Sequence, residues 1–137
     1  DDDDDDISRG TMQGSFGHSG NLGVITFVAT TVLPSQNSQS LSILAIDAQG
    51  RRFTFTVSSK VAGNYSIGQS STHQAQLEIG NQIWNSLGAS TGTINISSVT
   101  STTMSGTVAI QLQAAGGSSA TGTMTIALTF SGTFGQT

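Results

Sequence analysis

Cysteine is absent from the 137 residues, so neither a disulfide framework nor a thiolate metal site is available. Charge is scarce as well. Asp, Glu, Lys and Arg make up 9% of the chain, against a usual share of about a quarter. Solubility must rest on Ser, Thr, Gln and Asn, a composition common among exported β-proteins. Arg9, Arg51, Arg52 and Lys60 are the only basic side chains besides two histidines. They form no phosphate-tracking stripe, and no nucleic-acid partner is expected. No apolar run approaches the ~18 residues of a membrane helix, so no transmembrane segment is expected. No signal-peptide pattern opens the chain. The expectation is a mature exported form, extracellular or at the cell surface.

Catalytic sets are missing too. Serine is abundant, but there is no G-x-S-x-G elbow. Outside the N-terminal acidic run the only carboxylates are Asp47 and Glu78, in different segments, which does not suit paired-carboxylate chemistry. His18 and His73 have no ligand-spaced neighbours and read as ordinary surface residues. No phosphate loop or dinucleotide fingerprint occurs. The chain reads as a non-enzyme.

What is present is β-periodicity. In residues 123–134 Met124, Ile126, Leu128, Phe130, Gly132 and Phe134 alternate with Thr and other small residues. That gives one apolar and one hydroxylated face. Residues 102–112 repeat the pattern, and the outward faces of these two segments are almost wholly Thr, Ser and Gln. Strands are also predicted at 24–33, 41–47, 51–57, around Tyr65 and at 91–99, with an unclear stretch at 73–84. The segment 24–33 is apolar on both faces and ends at Pro34, the single proline. Asp47-Ala-Gln-Gly50 reads as a hairpin turn.

About eight short strands and no helix point to an all-β fold. The expected form is a two-layer antiparallel β-sandwich, Ig-like or jelly-roll-like, with an extended N-terminal arm. The expected division is an acidic tail at 1–6, a Gly-rich arm at 7–23 and a sandwich at 24–137. The arm reads as an edge strand, a loop, or a segment paired with another subunit.

From Ile43 onward the layout resembles a family of small bacterial secreted or lipid-anchored β-sandwich proteins of unknown function. The resemblance rests on LSILAIDAQGRRFTFTV, on Gly63-Asn64-Tyr65-Ser66-Ile67, on TGTINISSV, and on SGTVAI and SGTF at 105–110 and 131–134. It implies export and a sandwich, and it supplies no catalytic residues.

Net charge hides a split. Asp1, Asp2, Asp3, Asp4, Asp5 and Asp6 form a solvated acidic run and a weak Ca²⁺ candidate, while the rest of the chain carries a net +2 from four cations and two carboxylates. A first reading is therefore an extracellular structural subunit that self-assembles into a fibre. Met12, Gly14 and Phe16 would donate a strand to a neighbour, and Arg51 and Arg52 would dock its acidic tail. The alternative is a monomeric, tethered cell-surface module that binds a glycan or protein through Tyr65 and Trp84. Asn64 and Asn95 head N-glycosylation triplets. No fixed-period T-x-T array of the kind that binds ice is present.

Overall fold

The computed structural model describes residues 8–68, 72–87 and 90–135. Among them it has ten strands and no helix. These are β1 (Gly10–His18), β2 (Val24–Gln36), β3 (Leu41–Asp47), β4 (Arg52–Val57), β5 (Gly63–Ser66), β6 (Gln74–Ile79), β7 (Gln82–Asn85), β8 (Thr91–Val99), β9 (Thr103–Ala114) and β10 (Thr123–Thr133). All pairings are antiparallel.

The sheet does not split into two layers. Its order runs β10-β1-β2-β3-β4-β6-β7-β9, and β9 pairs back onto β10. The result is a closed eight-stranded antiparallel barrel, which corrects the expected sandwich. Alternating strands suit either architecture, because both hide one face of every strand. Closure depends on β1. It pairs with β10 over nine positions, Gly10↔Gly132 to His18↔Met124, and with β2 over Gln13↔Val28 to Gly17↔Val24. The segment read as an arm is thus a wall strand of its own barrel. β7 meets the far end of β9 at Trp84↔Ala114 and Asn85↔Gln113, and β8 takes the rest of that edge, with β5 outside it.

An eight-stranded barrel is just wide enough for its own side chains to fill. Here aromatic rings do so in sequence. Phe16 lies 4.8 Å from Phe27 and 6.5 Å from Phe53, Phe53 lies 6.3 Å from Phe55, and Phe55 lies 5.2 Å from Phe130. Each ring is at most 2% exposed. Met12, Trp84, Leu128 and Ile126 complete the same core. Burying one such ring is worth about 2–3 kcal/mol.

Two glycines permit the close wall. A Cβ on Gly14 would lie 1.9 Å from the Ala127 carbonyl oxygen, and one on Gly106 would lie 1.9 Å from that of Asn95. Both contacts are with backbone, so no side chain can swing aside.

Candidate functional site

The hairpin between β3 and β4 absorbs two of the residues singled out by sequence. Asp47 is 4% exposed. Its Oδ1 accepts the Gln49 and Arg51 backbone N–H groups at 3.0 and 2.9 Å, and its Oδ2 accepts Arg51 Nε at 2.7 Å. Gly50 completes the turn at φ +80°. Arg51 also donates to the Thr26 carbonyl at 3.4 Å, tying the hairpin to β2. Arg51 is thus engaged within the chain. Arg52 is exposed on the outer face, directly across from Glu78.

Met12 and Phe16 are 1% and 0% exposed inside their own barrel, and Gly14 faces Ala127 and Leu128 of β10. None of the three is presented to a neighbour. This intramolecular pairing stands in place of the expected donated strand, because the apolar face of β1 fills the core that β10 and β2 enclose.

The aromatics part company. Trp84 is fully buried, so it offers no stacking face. Its Nε1 donates to the Thr121 carbonyl at 3.1 Å. His18 Nε2 donates to the same oxygen at 2.7 Å, its Nδ1 accepts the Gly20 and Leu22 N–H groups, and its ring meets Trp84 edge-on at 5.6 Å. That clasp joins the β1–β2 and β9–β10 turns. Tyr65 is half-buried, donates to the Val61 carbonyl, and lies edge-on to His73 at 5.0 Å. His73 Nδ1 in turn accepts the Ser58 N–H at 3.0 Å. Asn64 and Asn95 face each other across β5 and β8, with Asn95 Nδ2 donating to Asn64 Oδ1 at 2.7 Å. Asp1–Asp6 lie outside the described residues. Among the described residues no group of three or more His, Cys, Asp or Glu could hold a metal, and no helix is long and apolar enough to cross a membrane.

Two surfaces emerge that single-segment reading does not isolate. The first is a wall. No Asp, Glu, Lys or Arg occurs in β5, β8, β9, β10, β1 or β2. These six strands are contiguous, and their register lays outward side chains in transverse rows. One row runs Asn64, Asn95, Thr107, Thr129, Gln13, Val28. The next runs Ser66, Thr93, Ala109, Ala127, Ser15, Thr26. Of the six charges of the body, Asp47, Arg51, Arg52 and Glu78 gather on β3, β4, β6 and their hairpin, while Arg9 lies just before β1 and Lys60 between β4 and β5.

The second is a cleft of 450 Å³ at one barrel rim, between Arg9, the end of β2, the β8–β9 turn and Phe134.

Residues 19–135 match a family described as a domain of unknown function, DUF6252. The chain belongs to this family. The match covers β2 to β10 and starts just past β1, the strand that closes the barrel between β2 and β10. No curated protein and no solved structure matches the chain.

Proposed function

We propose that this member of the family is a non-enzymatic, exported cell-surface module of bacterial type that binds a neutral glycan along its uncharged wall. One observation carries the reading: six adjacent strands without Asp, Glu, Lys or Arg, coated mainly with hydroxyls and amides, with Ala109, Ala127, Val24 and Val28 among them. Hydroxyls both donate and accept, and the Asn and Gln amides do the same. Such a surface matches the hydroxyls of a neutral sugar polymer and offers nothing to a polyanion or polycation. Stacking is secondary, since Trp84 is buried. The test is affinity electrophoresis through gels containing neutral polysaccharides, with Thr107→Glu and Thr129→Glu as wall variants. Retarded migration of the wild type, lost in both variants, supports the reading. Unretarded migration in every neutral polysaccharide, together with silence on a glycan array, removes it.

The same wall favours a second reading, self-assembly of a structural subunit, because two uncharged faces meet without electrostatic repulsion. β1 is already committed to its own barrel, so the contact would be face to face or between acidic tail and cationic body, with Ca²⁺ bridging Asp1–Asp6 of neighbouring copies. Analytical ultracentrifugation and electron microscopy with and without Ca²⁺ decide it. Monomers in both conditions count against assembly and leave glycan binding standing.

A further inference from the structure

Arg9 stands apart from the other cations. Its backbone is pinned, with N–H donating to the Val32 carbonyl and its own carbonyl accepting the Thr133 N–H, both at 2.8 Å. Its side chain is not matched in the same way. Nη2 reaches the Pro34 carbonyl only at 3.5 Å, the outer limit for a hydrogen bond. Nε is buried and has no partner among the described residues. The guanidinium packs against Gly135, where an added Cβ would lie 3.0 Å from Cζ and Nη2.

Arg9 as a whole is half-buried, and because a guanidinium cannot shed its proton, the burial at Nε cannot be relieved by neutralising it. Among the described residues no carboxylate answers it: Asp47 is engaged by Arg51, and Glu78 faces Arg52 across β4 and β6. Arg9 lines the rim cleft of about 450 Å³. Gln36 Nε2 donates to the Ser101 carbonyl at 3.2 Å and bridges the cleft's two sides. Ser35, Ser101 and Thr102 line it too, beside Pro34 and Phe134.

We propose that this rim cleft binds a small hydroxylated carboxylate, a sugar acid in size and chemistry, with Arg9 as its charged anchor. The planar guanidinium fork matches the two oxygens of a carboxylate. A single cation balances a monoanion and leaves a phosphate dianion half-compensated. The volume falls in the range of small-ligand sites, about 300–1,000 Å³, and the serine hydroxyls suit the ring hydroxyls of the carrier. The cleft is separate from the wall, and its failure leaves the glycan reading untouched.

The experiment is a two-dimensional NMR titration of the full chain with sodium glucuronate, with glucose, inorganic phosphate and sodium chloride as comparators. Glucuronate is expected to give saturable shifts at the Arg9 Nε–H and at the Gln36, Ser101 and Thr102 amides, with Kd about 1 mM or tighter. Glucose and sodium chloride are expected not to saturate these signals, and phosphate to bind about tenfold more weakly. Arg9→Gln removes the charge and is expected to abolish saturation with the thermal midpoint kept, since the half-buried side chain gives up only one long hydrogen bond. Arg9→Lys keeps the charge without the fork, and its affinity is expected to fall about tenfold. It also serves as the readout should the Gln variant unfold. Absent saturation by glucuronate, equal saturation by phosphate, or unchanged affinity in a folded Arg9 variant would overturn the proposal.

Discussion

Replacing Asp47 by alanine strips three interactions from the β3–β4 hairpin at once. Two are backbone N–H groups held at 2.9–3.0 Å, and the third is the 2.7 Å contact with Arg51 Nε. Hydrogen bonds to a charged group contribute about 1.5–3 kcal/mol each, and losing one member of a buried ion pair costs about 3–5 kcal/mol. These figures do not add. Gln49 sits exposed at the hairpin tip and Arg51 is 21% exposed, so water replaces part of what is lost. The expected loss for Asp47→Ala is therefore at the low end, about 3 kcal/mol. Asp47→Asn keeps a carbonyl oxygen for both N–H groups and loses only the ion pair, for about 1–2 kcal/mol. Arg51→Met leaves the carboxylate on its two backbone donors and is expected to cost about 1 kcal/mol. Urea unfolding followed by far-ultraviolet circular dichroism reads the order directly, at unchanged slope. In a domain of this size each kcal/mol moves Tm by about 3 °C, which puts Asp47→Ala about 10 °C below wild type. An alanine variant within about 0.5 kcal/mol of wild type would refute the reasoning, as that is the range of an ordinary surface change. An asparagine variant as damaged as the alanine one would refute it too.

Phe16→Ala, which removes the ring between Phe27 and Phe53, is expected to cost about 3–5 kcal/mol, measured by the same unfolding. A chain beginning after residue 18 is expected to lose cooperative folding altogether, because β10 and β2 lose the strand between them; a folded monomer would show instead that β1 is dispensable. Trp84 is the single tryptophan and is fully buried, so native fluorescence is expected to resist iodide quenching and to yield to it only on unfolding. His18→Ala removes four contacts of the clasp over Thr121 and Trp84 and is expected to cost about 2 kcal/mol, with faster amide exchange in residues 19–22.

Strand identity was legible because a period of two survives in a single segment. The β9 and β10 patterns, the β3–β4 hairpin and the Asp47–Gly50 turn all lie where alternation and turn chemistry put them. The lead-in was harder. Its glycines weaken the strand signal, although they are what lets β1 sit tightly against its neighbours. The stretch 73–84 was less clear, because its alternation is split between two short strands; β6 and β7 meet at Gly80-Asn81, where the turn was expected. Arg9 carried no signal as a site residue. Its orphaned nitrogen depends on Pro34, Gly135 and the β8–β9 turn converging on it.

By itself, then, the sequence determined which residues alternate, which turn, and that the body carries few charges. Those are local properties, written in side-chain order along each strand. Only the tertiary structure decided that β9 closes on β10, that β1 is a wall strand and not an arm, and that six charge-free strands stand side by side. Pairing partners are chosen by burial across the whole chain, and a sandwich and a barrel hide the same face of every strand. The alternation that makes each strand legible is therefore silent about its neighbours.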